Sequence, residues 1–284
     1  HDGHTTMLLG AARYLSETRN FSGRAVLIFQ PAEETIGGGR IMVEEGMMDR
    51  FGIDEVYAIH TDPFSEAGQL RTCVGPIMAA VEDWTLTVTG VGGHAAYPQA
   101  TCDSIPAALA IGQALQTIVA RETDTMAPLV VSLTQIHAGE AFNVIPDTVT
   151  LGGTVRCFDD ALMARVMGRI DTIARQVAEG YGVTARMTRI PGYPATINDA
   201  EQAHFAAETA RDVTPDVIDD LKPEMGSEDF SFMLRARAGA FVFLGQGIGP
   251  SVHHPKFDFN DAVAPVGASF LARLVERRNP VAQG

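Results

Sequence analysis

Four short stretches of this 284-residue chain hold the side chains best suited to chemistry. They are His1-Asp2-Gly3-His4, Gln30-Pro31-Ala32-Glu33-Glu34, His60-Thr61-Asp62-Pro63 and His253-His254-Pro255. Imidazole and carboxylate together suit zinc, manganese or a similar divalent ion. The pair Glu33-Glu34 is the sharpest signal. Adjacent acids beside an apolar run are costly unless positive charge stands nearby, and a metal supplies that charge. One carboxylate can then bind the ion while the other takes a proton from water. Each stretch also has a plainer reading. The acids could sit at a helix N-terminus, where the dipole favours them. His60 could be a hydrogen-bonded histidine at a strand end, and His253-His254 a polar loop.

The elements that must position these groups can be read from periodicity. Residues 5–19 put Leu8, Ala11, Ala12 and Leu15 on one helical face. RAVLIF (24–29), VYAIH (56–60) and AFVFLG (240–245) read as strands buried on both sides. A helix is expected after the glycines at 37–39, and further helices over 199–211, near 227–235 and over 265–277. Helices alternating with buried strands indicate an α/β unit, and such sheets place their sites beyond the carboxyl ends of the strands. Three of the four stretches fall at or beyond such ends.

From about residue 80 the pattern changes. Trp84, Leu86 and Val88 alternate with Thr85, Thr87 and Thr89, the period of a sheet with one wet face. A helix over 103–122 opens on Asp103 as N-cap with Pro106 in its first turn. Strands at 128–138 and 147–158, a helix at 160–179 and a strand at 183–190 complete a β-α-β-β-α-β order, the ferredoxin-like unit. The breakers Pro191, Gly192 and Pro194 then return the chain to its first pattern. The expected organisation is therefore one α/β domain (1–75 and 192–284) interrupted by an inserted domain (76–191).

Composition narrows the function. The net charge of −14 opposes binding to a phosphate backbone. With 46% apolar and 20% charged residues the chain is globular rather than disordered. No apolar run is long enough to span a membrane. Cys73, Cys102 and Cys157 form neither a disulfide framework nor a CxxC site, and read as buried reduced thiols of a cytoplasmic protein.

Six motifs in order, HDGHTTMLLGAA, FQPAEE, GGHAAYP, FNVIPD followed by GTVR, GSEDFSFM and HHPKFDFND, resemble the metal-dependent amidohydrolases of the aminoacylase/carboxypeptidase family. The nearest branch is that of hippurate hydrolase and the plant auxin-conjugate hydrolases. The resemblance runs to about residue 277. It implies a metallopeptidase-like α/β catalytic domain with an inserted ferredoxin-like lid that also forms a homodimer. It implies two divalent ions, zinc or manganese with nickel or cobalt as alternatives, held by His1, Glu34, His60 and His253. Glu33 would activate the attacking water and protonate the leaving amine. His94 would reach the partner subunit's site and stabilise the oxyanion. Asn143 and Arg156 would bind the free carboxylate of an N-acyl amino acid, Arg through a two-point fork. His254 would not ligate, and Gly226-Ser227-Glu228-Asp229 would line the pocket. Asp2 could orient a ligand or cap a helix.

The family's Asp-Met-Asp stretch and its metal-bridging Cys-Gly pair belong upstream of the residue that matches His1. The chain therefore reads as N-terminally truncated, with weakened metal binding and apolar surface exposed where the missing elements belong. Two other readings compete with an active hydrolase. One is an inactive remnant that keeps lid-mediated dimerisation or ligand binding. The other is a dinucleotide-binding oxidoreductase, suggested by Gly90-Val91-Gly92-Gly93-His94-Ala95. The alternating strand before Gly90 and the lack of an acid about 20 residues on oppose that reading. No G-x-S-x-G supports a serine hydrolase.

Overall fold

The computed structural model describes residues 1–281. The chain folds as two compact units. One comprises residues 1–78, 196–224 and the chain from Glu228 onward; the other comprises residues 79–195 with Met225–Ser227.

The first unit opens with α1 (Asp2–Thr18), which buries Met7, Ala11 and Leu15 along one face. After α2 (Gly38–Glu44) and α3 (Met47–Arg50) come β1 (Glu55–Asp62), β2 (Leu70–Arg71) and β3 (Gly75–Met78). The second unit follows, with β4 (Ala80–Thr89), β5 (Gly93–His94), α4 (Ser104–Leu115), α5 (Thr117–Glu122), β6 (Leu129–Ala138), β7 (Val144–Ile145), β8 (Thr148–Cys157), α6 (Asp160–Gly180) and β9 (Thr184–Pro191). The chain then completes the first unit with β10 (Thr196–Asn198), α7 (Ala200–Arg211), β11 (Val217–Ile218), α8 (Ser231–Ala236), β12 (Ala238–Gly245) and α9 (Ala264–Arg278).

In the first unit the sheet order is β1-β12-β2-β11. β1 and β12 run parallel from Glu55 beside Ala238 to Asp62 beside Gly245. β12 is antiparallel to β2, so the sheet is mixed. Apolar layers cover both faces. On one, Met7, Ile59, Leu244 and Phe270 pack together. On the other, Val56, Phe230, Phe241 and Phe243 do so. Alternate residues of β1 join opposite layers, as the period of a strand requires.

In the second unit β6, β8, β4 and β9 form an antiparallel sheet in that order. Trp84, Leu86 and Val88 are buried, whereas Thr87 and Thr89 are exposed. α4 and α6 pack on the buried face through Ile111, Leu115, Val166 and Ile170. Asp103 caps α4 by accepting the Ile105 N–H at 2.9 Å.

Three expectations need correction. RAVLIF is not a strand: residues 24–30 carry no regular secondary structure and enter no ladder among the described residues. A strand needs a paired neighbour, and β1 presents its partnered edge to β12. The helix expected over 103–122 is two, α4 and α5, which meet at Gln116. Cys102 is exposed, while Cys73 and Cys157 are buried as expected. No described helix is long and apolar enough to cross a membrane.

The layer between α1, α9 and the sheet carries the helix that bears His1 and His4. Phe270→Ala, at a fully buried position there, is expected to cost about 3–5 kcal/mol. Thermal unfolding followed by calorimetry checks this; a loss below about 1 kcal/mol would show that the layer does not hold the unit together.

Candidate metal centre

Two elements of the first unit, α1 and β1, bring three imidazoles together. His1 stands at the N-cap of α1 and His4 lies in its first turn. His60 is near the carboxyl end of β1. The ring centroids of His1 and His4 are 5.2 Å apart, those of His4 and His60 4.3 Å, and those of His1 and His60 5.7 Å. One hydrogen bond ties helix to strand, as the Thr61 N–H donates to His4 Nε2 at 2.9 Å. His60 Nδ1 lies 2.7 Å from the Thr61 carbonyl oxygen, which fixes that nitrogen as a donor and leaves Nε2 as the lone-pair nitrogen. Burial lowers the pKa of His60 to about 4 and that of His4 further still, with the neighbouring imidazole adding to the effect on His4. Both rings are therefore neutral at pH 7, the form that binds a metal.

The carboxylates arrive on a turn. After Ala32, whose φ is +57°, Glu33 and Glu34 occupy a bend closed by the Gly37 N–H on the Ala32 carbonyl at 3.2 Å. His1 Nε2 lies 3.9 Å from Glu33 Oε2, and His1 Nδ1 lies 3.8 Å from Glu34 Oε1. His253 Nε2 approaches the same Glu34 oxygen at 3.6 Å. His254 instead turns Nδ1 to the Lys256 N–H at 3.1 Å. Thus His1, Glu33, Glu34, His60 and His253 converge in one unit.

Sequence reasoning left three neighbours without roles: His4, Glu228 and Asp229. Donor atoms of His1, His4 and His60 lie within 4.8 Å of one another, and so do those of His1, Glu33 and Glu34 and those of Glu33, Glu228 and Asp229. Glu33 belongs to two of these groups. Asp229 accepts the Gly39 N–H at 2.7 Å and the Gln30 side-chain amide, so it serves the start of α2 in place of Glu33 or Glu34. Glu228 is buried and accepts the Phe230 N–H at 3.1 Å. The visible signal was an acidic pair ahead of Phe230 in GSEDF, but no local pattern links it to residue 33. Asp2 is the first helical residue rather than the cap, and its carboxylate, 95% exposed, accepts the Gly3 N–H.

Burial raises the pKa of Glu33 to about 7, assisted by the charges of Glu34 and Asp229. Burial and Glu33 also raise that of Glu228. Neutral imidazole nitrogens beside carboxylates held against their own repulsion form a mixed nitrogen and oxygen donor set. Such a set fits a divalent transition ion.

The remaining predicted residues lie in the second unit. His94, on β5, pairs with Val144, and the Ala95 N–H donates to the Asn143 carbonyl at 3.0 Å. His94 and Asn143 are therefore neighbours, and both are exposed. Arg156, on β8, donates from Nη1 to the Met225 carbonyl at 2.8 Å.

Residues 1–277 match Peptidase family M20/M25/M40. The chain is 35% identical over 276 residues to hippurate hydrolase of Campylobacter jejuni, covering 96% of this chain and 72% of that one. It is 37% identical over 288 residues to IAA-amino acid hydrolase ILR1-like 4 of Arabidopsis thaliana, covering 98% and 65%. A solved dinuclear metal-binding peptidase of the M20 family from Bacillus subtilis superposes with a TM-score of 0.83 at 29% identity, covering 98% and 72%. The chain belongs to this peptidase family, and its class is that of the metal-dependent amidohydrolases. It spans 65% to 72% of the lengths of these three relatives.

The raised pKa of Glu33 has a consequence for the chain without metal. An unfolded glutamate loses its proton near pH 4.5, whereas Glu33 holds it to about pH 7. The folded state binds the extra proton between those values, so this residue's contribution to stability falls as the pH rises through that window. In a chelator, Glu33→Gln is expected to melt higher than the parent at pH 8 and level with it at pH 4. An equal difference at both pH values would show that Glu33 ionises normally.

Proposed function

We propose that this site hydrolyses the amide bond of N-acyl amino acids. The observation that carries the reading is the meeting of His1, Glu33 and Glu34 with donor atoms inside 4.8 Å, in a chain whose family members are named for acting on conjugated amino acids. N-acetyl-L-cysteine deacetylase of Bacillus subtilis, 34% identical over 278 residues, extends that theme. His1, Glu34, His60 and His253 would hold two divalent ions, with zinc or manganese favoured by the donor set and nickel or cobalt as alternatives. The ions supply Lewis acidity that polarises the scissile carbonyl and acidifies water.

Glu33 takes the proton of the attacking water and delivers it to the leaving amine. A carboxylate poised beside a polarised water can accept a proton and hand it on. His4 Nε2, engaged by the Thr61 N–H, orients α1 against β1 rather than ligating. Glu228, with a donor oxygen within 4.8 Å of one of Glu33's, is itself held protonated by burial and by the Glu33 charge.

The second unit is a ferredoxin-like lid, a reading supported by its β-α-β-β-α-β order. It brings two copies together as a homodimer. His94 of one copy donates to the oxyanion in the partner's site, and Asn143 and Arg156 bind the substrate's free carboxylate. The enzyme acts in the cytoplasm on a small molecule, not on nucleic acid or at a membrane.

Three experiments test these roles. Glu33→Gln is expected to retain bound metal by elemental analysis and lose at least about 100-fold in kcat; retained turnover overturns the base assignment. His94→Ala is expected to raise the barrier by about 2.7–4 kcal/mol, and mixing it with Glu33→Gln subunits should restore activity. No rescue in verified mixed dimers removes His94 from the partner's site. Separately, Arg156→Ala is expected to raise KM for carboxylate-bearing amides while sparing their neutral esters. An equal effect on both excludes Arg156 from carboxylate binding.

A further inference from the structure

The imidazoles of the candidate centre come from three segments: the start of α1 with His1 and His4, the end of β1 with His60, and the loop after β12 with His253. The loop has the least support of its own. Residues 250–258 form no helix or strand, and His253 has a φ of +66°. Among the described residues, their only backbone–backbone hydrogen bonds are internal. The His254 N–H donates to the Ser251 carbonyl at 3.1 Å, and the Phe257 N–H to the His254 carbonyl at 2.8 Å. The position of His253 therefore depends on how the ends of the loop are held.

One side chain stands where the three segments meet. Gln246 is buried directly after β12. Its Oε1 accepts the Thr61 hydroxyl at 2.9 Å. Its Nε2 donates to the Asp258 carbonyl at 3.2 Å, and the Asn260 side-chain amide donates to the Gln246 carbonyl at 2.8 Å. Both ends of the His253 loop are thus fastened at one residue. Thr61 is the residue whose N–H engages His4 and whose carbonyl engages His60. The start of α1 is reached through Phe259, which lies between the fastened residues 258 and 260. Its ring lies so close to Gly3 that a Cβ on Gly3 would overlap it. Gly3 itself sits between His1 and His4.

We propose that Gln246 is a positioning residue of the metal centre: its amide holds the end of β1, the His253 loop and, through Phe259, the start of α1 in one arrangement. The proposal rests on the metal-binding reading of the site. A primary amide both accepts and donates, so one side chain serves the Thr61 hydroxyl and the Asp258 carbonyl at once. Methionine would fill the same space but leave both groups without this partner. Groups that hold ligands in orientation influence metal affinity without touching the ion.

The test uses the 284-residue chain with cobalt(II) as probe, since its visible absorption reports ligand geometry and its titration gives an affinity. Gln246→Met is expected to weaken cobalt binding at least about tenfold, the low end for loss of an outer hydrogen-bonding partner, and to change the absorption band. In the metal-free variant, hydrogen exchange of residues 250–260 is expected to quicken at least about tenfold. Thr61→Val removes one of the two partners and is expected to lose part of the affinity, whereas Thr61→Ser keeps the hydroxyl and binds as the parent does. The double variant Thr61→Val with Gln246→Met is expected to bind no more weakly than Gln246→Met alone. A lowered melting temperature with unchanged cobalt affinity and spectrum in Gln246→Met overturns the proposal, because it marks a glutamine that only supports the fold. Losses that add in the double variant also overturn it. If Gln246→Met does not fold, equal affinities of Thr61→Val and Thr61→Ser overturn it. A parent chain that binds no cobalt overturns the metal-binding reading itself, and this proposal with it.

Discussion

Gathering carboxylates against one another is the constraint around which the first unit is arranged. Glu33 stands within donor distance of Glu34 and His1 on one side and of Glu228 and Asp229 on the other. Glu228 and Asp229, charged alone in their buried places, would cost several kcal/mol each. The molecule lowers that cost in two ways. Asp229 is held by the Gly39 N–H and the Gln30 amide, so its charge meets backbone and side-chain donors. Glu33 and Glu228 meet their share by keeping protons, as their raised pKa values indicate. A divalent cation would relieve the rest, which is why this arrangement makes physical sense as a metal centre and poor sense as a structural acid cluster.

The same constraint explains the scaffold. The imidazoles must be neutral and fixed in orientation, and burial achieves both. His4 is anchored by the Thr61 N–H and His60 by the Thr61 carbonyl, so one residue of β1 orients two rings. Thr61 is itself fixed through its hydroxyl, which donates to Gln246 at 2.9 Å just beyond β12. Register between β1 and β12 thereby reaches the site. A slip of one residue would send Thr61 to the other face and release both histidines.

Much of this was legible in the sequence because it is local or periodic. The alternation of Trp84, Leu86 and Val88, the cap at Asp103 and the apolar spacing of α6 each depend on neighbours a few residues away. The clusters at residues 1–4, 33–34, 60 and 253–254 were visible as residue types. What stayed hidden depends on distant pairing. Glu228 and Asp229 meet Glu33 only after about two hundred residues of intervening chain, and no spacing rule spans that distance. Asp2 reads as a helix cap by type, yet the helix begins one residue earlier than that requires.

The run 24–29 shows the limit in its sharpest form. Its composition is that of a strand buried on both faces, and Val26 and Ile28 do pack into the layer with Phe230 and Phe241. Side-chain burial, however, is only half of what makes a strand. The other half is a ladder, and a ladder belongs to two segments at once. Sequence read along one segment reports the apolar half faithfully and is silent on the partner. An apolar run can therefore pack on one layer and still join no sheet.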